Sequence, residues 1–181
     1  MNASAFIVGP PSGAGTPALT ELAHTLGFSK VSAFAGRSAA EKQSALTPLV
    51  FFFCAAVADL KSLKSTADGI RQSRSDAIRF APLIYFARNL GLDTIRSCIQ
   101  MGFDDVIALP FGDGVNERIM RQTGRLQIYY ETDTYFGPDR RDRTASARDA
   151  VSDAGQFRRY EIMRSPEKGI VMLHDDFQLV I

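Results

Sequence analysis

An uninterrupted apolar run from Pro48 to Cys54 limits the folds that are open to this chain. A strand that is apolar on both faces must be covered on both faces, which is typical of a central strand in a parallel sheet. The run is far too short to cross a bilayer, for which a helix needs about 20 apolar residues. We therefore predict a buried central strand with helices packed on each side of its sheet.

Four further short apolar segments alternate with stretches of helical periodicity, and they lie near residues 5–8, 31–35, 83–86 and 106–108. Ser38 with Glu41 has the spacing of a capping box at the start of the second helix. Five strands that alternate with five helices predict an α/β, flavodoxin-like, doubly wound parallel sheet with the strand order 2-1-3-4-5. In such sheets, binding and catalytic groups collect at the carboxyl ends of the strands.

The composition is that of a folded protein without a strong charge bias. Of the 181 residues, 45% are apolar and 23% are charged, and the formal net charge is +1. Binding to nucleic acid through its phosphates needs a basic face, so we expect no nucleic-acid partner. The amino terminus lacks the pattern of an export signal, and we expect a cytoplasmic protein without a membrane partner. Cys54 and Cys98 fall at apolar positions and are predicted to be reduced core residues.

The stretch Gly102-Phe103-Asp104-Asp105, followed five residues later by Pro110-Phe111, is the most specific motif of the chain. It resembles the glycine-hydrophobic-acid-acid to lysine-proline-phenylalanine stretch of response-regulator receiver domains. The resemblance covers roughly residues 4–124, and we assign residues 1–124 to one receiver-like domain. It also implies that the Leu109–Pro110 peptide bond is cis.

The resemblance implies a degenerate pseudo-receiver, because the residues that carry receiver chemistry are replaced. Gly9 and Pro10 stand where receivers have two acidic residues, and Phe53 stands where they have the aspartate that accepts the phosphoryl group. Phe86 replaces a hydroxyl residue and Leu109 replaces the lysine. Mg²⁺ binds through carboxylate oxygens, and phosphoryl transfer needs both the nucleophile and fixed positive charge. We therefore expect no metal, no cofactor and no enzymatic activity, with an apolar pocket floor in place of the site.

Two other motifs lack the residues that their chemistry needs. The loop after the first strand resembles a phosphate-binding P-loop, but Ala14 and Gly15 stand where a glycine and the phosphate-binding lysine are required. His24 and His174 have no partner at a spacing typical of metal ligands. The sequence therefore favours neither nucleotide hydrolysis nor a histidine-based metal site.

Residues 125–181 lie beyond the resemblance and are predicted to form a C-terminal extension. Residues 144–156 have the composition of a flexible linker, and two strand-like segments at 159–163 and 170–173 flank a turn, which predicts a terminal β-hairpin. Unpaired strands would expose backbone groups unless they joined a sheet edge or a second chain. The receiver resemblance also implies a dimer face on the fourth and fifth helices, and on both grounds we predict a homodimer.

The extension also contains Tyr-Phe-Gly-Pro-Asp-Arg-Arg at residues 135–141. Its Gly-Pro pair favours a turn, its aromatic residues can anchor the turn, and Arg140 and Arg141 would present guanidinium groups that suit carboxylates or phosphates. The alternative is a solvated tail that is held only by its aromatic residues.

These observations favour a phosphorylation-independent signalling protein that acts by protein–protein interaction in a bacterial two-component-type circuit. Its partner would be a kinase, a phosphotransfer protein or another regulator, bound through the fourth helix, fifth strand and fifth helix. The alternative is a sensor of a small anion or cyclic dinucleotide that uses Arg140 and Arg141. A DNA-associated regulator is a third reading, but the extension has no helix-turn-helix pattern.

Overall fold

The apolar run forms β3, Leu49–Cys54, and all of its residues are buried. The computed structural model describes residues 2–10, 13, 15–139 and 156–179. The elements that accompany β3 are β1 (Ala3–Val8), α1 (Thr16–Thr25), β2 (Lys30–Ala33), α2 (Arg37–Ser44), a 3-10 helix (Leu60–Leu63), α3 (Lys64–Arg71), α4 (Asp76–Arg79), β4 (Leu83–Ala87), α5 (Leu92–Gln100), β5 (Asp105–Ala108) and α6 (Val115–Met120).

The first five strands form a parallel sheet with the order β2-β1-β3-β4-β5. The predicted fold class is thereby confirmed, and the architecture is receiver-like. Buried residues of α1 and α6 cover one face of the sheet, whereas buried residues of α2, α3 and α5 cover the other. This double cover is why β3 is apolar on both faces.

Local details differ from the sequence-based prediction in two places. One predicted helix between β3 and β4 is a 3-10 helix followed by α3 and the short α4. The predicted capping box is wrong, because α2 begins at Arg37 with Gly36 before it and no side chain caps its first turn. Glu41 instead accepts a hydrogen bond of 2.8 Å from the Ser73 hydroxyl, so a tertiary contact takes the place of the local one.

The extension forms a second sheet from β6 (Leu126–Glu131), β7 (Phe136–Pro138), β8 (Gln156–Ser165) and β9 (Gly169–Leu179). These strands are antiparallel in the order β7-β6-β8-β9. The predicted strands of the extension are confirmed, although β8 and β9 are longer than the sequence indicated. Because the strands pair with one another, they do not need a second chain, and the argument for a homodimer from unpaired strands does not hold.

The second sheet packs against the amino ends of the parallel strands. Gly124 donates a backbone hydrogen bond of 2.9 Å to the carbonyl of Arg164 in β8. Gly169, at the start of β9, lies so close to the residue before β3 that a Cβ there would be 2.4 Å from the carbonyl oxygen of Pro48. The two sheets are therefore in direct contact, at the end of the parallel sheet opposite to the carboxyl ends of its strands. The predicted linker, about 144–156, falls outside the described residues except for Gln156.

Further local expectations can be checked directly. The Leu109–Pro110 bond is cis, which confirms the prediction. Cys54 and Cys98 are both buried and neither forms a disulfide with a described residue, and burial raises the pKa of the Cys54 thiol above its ordinary value. None of the described helices is both long and apolar enough to cross a membrane.

Candidate functional site

The five positions that the sequence resemblance singled out lie at one edge of the parallel sheet. Gly9 and Pro10 directly follow β1 and are exposed. Phe53 and Phe86 are the second-last residues of β3 and β4, and Leu109 is the first residue after β5 and is half-buried. Since parallel strands end at the same edge, these residues occupy the region where a receiver has its reactive groups.

The rings of Phe53 and Phe86 fill the space between the ends of β3 and β4. Both side chains are 0% exposed, and their ring centroids are 5.5 Å apart in an edge-to-face arrangement. Phe28 packs on Phe53 at 5.5 Å, and Phe111 packs on Phe86 at 6.2 Å. Each such aromatic pair adds about 0.5–1.5 kcal/mol beyond the burial of its surface. The expected apolar pocket floor is thus part of the packed core.

The loop after β1 also leaves little room for an acidic side chain. A Cβ at Gly9 would lie 2.9 Å from the Cβ of Ala55, which follows β3. The carbonyl of Pro10 accepts hydrogen bonds from the backbone N–H of Gly13 at 2.8 Å and from the Thr16 hydroxyl at 3.0 Å. Pro10 is therefore tied to Gly13 and Thr16, and Gly9 lies against the residue that follows β3.

A receiver-like fold implies a Mg²⁺ ion at this edge, and the residues present do not fit one. Glycine, proline and phenylalanine side chains offer no oxygen ligand, whereas Mg²⁺ requires carboxylates together with water or phosphate oxygens. The first acidic residue after β3 is Asp59, and its carboxylate accepts a hydrogen bond of 3.0 Å from the backbone N–H of Lys61 at the start of the 3-10 helix. No group of three or more potential metal-binding side chains occurs in the part of the chain that the structure describes.

At the opposite end of the sheet, Asp104 is the centre of a buried ionic network. Its carboxylate accepts hydrogen bonds of 2.7 Å each from Arg71 of α3, from Arg164 of β8 and from the backbone N–H of Leu83. The Tyr129 hydroxyl of β6 also donates to Asp104. Asp104 and Arg71 belong to the receiver-like part, whereas Arg164 and Tyr129 belong to the extension, so one carboxylate joins the two sheets.

Both arginines of this network use their remaining donors on backbone carbonyls and on an amide. Arg71 donates to the carbonyls of Gly102, Arg79 and Ala81 at 2.7–2.9 Å. Arg164, whose side chain is 0% exposed, donates to the carbonyl of Phe80 at 2.9 Å and to the side-chain oxygen of Gln122 at 3.1 Å. Buried charges are tolerated when they are paired and hydrogen-bonded in this way.

The network controls the protonation of Asp104. Burial alone would raise the pKa of its carboxyl, but the guanidinium groups of Arg164 and Arg71 and the hydrogen bonds from Arg164 and Tyr129 outweigh burial and lower the pKa to about 2. Burial raises the pKa of the Tyr129 hydroxyl above its ordinary value, so Tyr129 remains a hydrogen-bond donor at neutral pH.

The lowered pKa of Asp104 predicts that the folded protein loses stability in acid. Because the pKa of Asp104 falls from an ordinary value of 3.8 to about 2 on folding, its contribution to stability is present above pH 4 and is lost as the pH falls through the folded pKa. We expect the free energy of unfolding to fall by about 2 kcal/mol across this range on account of Asp104. Urea denaturation at a series of pH values, with the carboxyl titration of Asp104 followed by NMR, checks this. A carboxyl that titrates at or above its ordinary pKa would contradict it.

An aromatic cluster lies beside the ionic network. Phe80, at the end of α4, packs against Tyr129, Phe136 and Tyr160 of the second sheet at ring distances of 5.2–5.3 Å. The guanidinium of Arg79 lies 4.3 Å from the ring centre of Phe136, a distance typical of a cation–π contact. Phe80 therefore anchors the extension on the receiver-like part.

The Arg79 side chain also makes an ion pair with the second sheet. Its guanidinium donates to a carboxylate oxygen of Glu131 at 2.8 Å. The Tyr160 hydroxyl donates to the other carboxylate oxygen of Glu131. Burial and the hydrogen bond to Glu131 raise the pKa of Tyr160 to about 12.

Gly102 and Gly137 allow the two backbones to approach. Gly102 has a φ of +75°, and a Cβ there would lie 2.3 Å from the carbonyl oxygen of Phe136. A Cβ at Gly137 would lie 2.9 Å from the Cα of Gly102 and closer still to the Tyr135 ring. The motif glycine of the receiver resemblance and the glycine of the Tyr-Phe-Gly-Pro segment thus face each other.

The turn that the sequence predicted at Gly137-Pro138 is wrong, because both residues belong to β7. Arg140 and Arg141 lie outside the described residues, so their binding role stays a prediction. Neither Arg164 nor Arg71 was predicted from the sequence to be a site residue. The one signal for Arg164 was strand alternation, because Tyr160, Ile162 and Arg164 share the buried face of β8.

Three solved structures resemble this chain in fold. The receiver domain of a sensor histidine kinase from Pseudomonas aeruginosa PAO1, solved with a magnesium ion coordinated in its active-site cleft, has 18% identity and a TM-score of 0.48, over 66% of this chain and 94% of that chain. A protein assigned as a response regulator from Chloroflexus aurantiacus has 14% identity and a TM-score of 0.45, over 65% and 95%. A response regulator in red light signalling of R. palustris has 13% identity and a TM-score of 0.43, over 65% and 89%.

The corresponding sequence comparisons found nothing. No protein-family model matches the chain, and no curated protein matches it.

Proposed function

We propose that this protein is a phosphorylation-independent regulatory protein that acts by binding another protein of a two-component-type signalling circuit. The observation that carries the proposal is the packing at the carboxyl ends of the strands, where the buried rings of Phe53 and Phe86 occupy the place of the receiver chemistry. A protein that keeps the receiver topology, but whose strand-end site is filled by side chains, can still bind another protein through its surface. The proposed partner is a kinase, a phosphotransfer protein or another regulator.

The surface that we propose for the partner is formed by α5, β5 and α6. Leu92, in the first turn of α5, is 70% exposed, Leu90 just before it is 39% exposed, and Met120 at the end of α6 is 38% exposed. Exposed apolar side chains of this kind lose water when a partner covers them, which stabilises a complex. The same surface is proposed for a homodimer, which therefore rests on exposed apolar residues and not on unpaired strands.

Phosphorylation is tested most directly by mass. We expect the intact mass of the protein to be unchanged after incubation with a small-molecule phosphodonor and Mg²⁺, because the edge offers neither a carboxylate nucleophile nor metal ligands. An active receiver domain, treated in parallel, shows that the donor works. A stoichiometric phosphoryl adduct that hydroxylamine removes would contradict the proposal.

A binding measurement completes this test. The affinity of the protein for a captured partner is expected to be the same with and without the phosphodonor, provided that the partner itself is not modified. Leu92→Asp is the variant expected to weaken the complex, and Leu46→Asp is its matched control, since Leu46 is 76% exposed and lies just after α2, outside the proposed surface. Equal loss of binding in both variants would exclude the α5–β5–α6 surface.

A further inference from the structure

A cleft of about 500 Å³ lies where α6 and the start of β5 meet β6 and the end of β7. Arg118 of α6, Arg121 directly after this helix and Arg125 before β6 line the cleft, and none of its described lining residues is a lysine. Arginine presents a planar, always charged fork of donors that suits phosphate and carboxylate oxygens. The cleft lies at the amino end of β5, so it is separate from the filled edge that holds Phe53 and Phe86.

The carboxylates near the cleft are largely compensated by other groups. Asp105 accepts two hydrogen bonds from Arg118, at 2.7 Å from Nε and 2.6 Å from Nη2. Asp104 is bound by Arg71 and Arg164, as described above. Asp139 also lines the cleft.

Several donors in the cleft have no acceptor among the residues that the structure describes. Asp105 fixes the Arg118 guanidinium, whose Nη1 makes no hydrogen bond within the described chain. Arg121 has only a 3.5 Å contact with Glu117, which is 79% exposed, and Arg125 makes no ion pair with any described residue. The buried Nε2 of Gln127, another residue of the lining, has no acceptor among the described residues. A buried donor without an acceptor is costly, and an oxygen-rich ligand would supply acceptors.

We infer that this cleft binds a phosphate-bearing small molecule of nucleotide size. Its volume lies within the range of about 300–1,000 Å³ that is typical of small-molecule sites. Arg121 and Arg125 would supply the charge, the fixed Arg118 one directed donor, and the Nε2 of Gln127 a donor to an oxygen of the ligand. The inference goes beyond protein binding and does not depend on Arg140 or Arg141.

A ligand in this position would contact both parts of the protein. Arg118 of α6 and Arg121, the residue after this helix, belong to the receiver-like part, whereas Gln127 and Asp139 belong to the extension. Gln122, which also lines the cleft, holds Arg164 of the buried ionic network. Binding would therefore link the two sheets and raise the melting temperature, since a ligand that binds only the folded state stabilises it.

The test uses the full chain and calorimetric titration with defined probes: the four ribonucleoside 5′-monophosphates, a cyclic dinucleotide, inorganic phosphate and citrate. We expect saturable binding of at least one nucleotide, tighter than that of inorganic phosphate, with a matching rise in melting temperature. Inorganic phosphate separates a phosphate-only site from one that also reads the rest of the ligand, and citrate separates phosphate from carboxylate recognition.

The double variant Arg121→Ala/Arg125→Ala should weaken binding by roughly tenfold or more, because two charge-assisted contacts are lost. Its matched control is Arg37→Ala/Arg96→Ala, which removes the same charge from exposed residues of α2 and α5 outside the cleft. The inference is overturned if no nucleotide binds more tightly than inorganic phosphate, if citrate binds as tightly as the nucleotides, or if the two double variants weaken binding equally.

Discussion

Replacing Asp104 with alanine is expected to lower the free energy of unfolding by about 3–5 kcal/mol, because two buried guanidinium groups lose their counter-charge. Arg71 and Arg164 have side-chain exposures of only 3% and 0%, so water cannot replace the carboxylate. A loss of this size is a large fraction of the roughly 5–15 kcal/mol that stabilises an ordinary domain. Chemical denaturation followed by circular dichroism measures it, and Asp104→Asn provides a milder variant if the alanine variant does not fold.

Asp68→Ala is the matched control for this substitution. Asp68 also accepts hydrogen bonds from a cation, Lys64, at 2.9 and 3.0 Å, but the carboxylate is 38% exposed. Exposed pairs at this helical spacing contribute only about 0.3–0.5 kcal/mol. If Asp104→Ala were no more destabilising than Asp68→Ala, the buried network would not hold the two sheets together.

A double-mutant cycle between Asp104 and Arg164 separates the junction from the rest of the network. Asp104 precedes β5 in the receiver-like part, and Arg164 lies in β8 of the extension. Residues that share one ionic network show coupling energies of about 0.5–3 kcal/mol. Coupling of this size would mean that the two sheets unfold together. It would then argue against treating residues 1–124 and the extension as independent domains, a division after Gly124 that stays a prediction.

The sequence predicted the parallel sheet well because its signals are local. The run from Pro48 to Cys54 can be buried only at the centre of a sheet, and alternation of strands and helices then leaves few topologies. The prediction of a capping box at Ser38 and Glu41 was wrong because a cap stabilises a helix by only about 1 kcal/mol, which a tertiary contact can outweigh. A hydrogen bond to Ser73 from a distant part of the chain was enough to redirect Glu41.

The junction between the sheets could not be predicted in the same way. The receiver motif singled out Asp104, but its partners Arg71, Tyr129 and Arg164 are 25 to 60 residues away along the chain. A charged residue in a sequence indicates a solvated surface by default, since arginine and aspartate are rarely buried without a partner. Only the fold brings these partners together. The arginines of the cleft on α6 were overlooked for the same reason, because their spacing is also typical of an exposed helix face.

Replacing Gly102 with alanine is the second large effect that we expect, with a loss of about 3 kcal/mol. Its φ of +75° costs other residues roughly 1–2 kcal/mol, and overpacking costs about 1–3 kcal/mol more. The added Cβ would lie 2.3 Å from the carbonyl oxygen of Phe136, which is backbone and cannot rotate away. For a chain of this length the melting temperature should fall by roughly 6–12 °C.

Gly112→Ala is the control, because a Cβ added at Gly112 would have no neighbour within 4 Å and the φ of this residue is not positive. It should change the melting temperature little. The comparison also distinguishes two origins of the loss at Gly102. If the positive φ alone caused the loss, Gly124→Ala, at a φ of +72° with open space around it, would lower the free energy of unfolding as much as Gly102→Ala. A clearly larger loss for Gly102→Ala would assign the difference to the contact with Phe136. Equal losses in all three variants would contradict a close contact between the extension and Gly102.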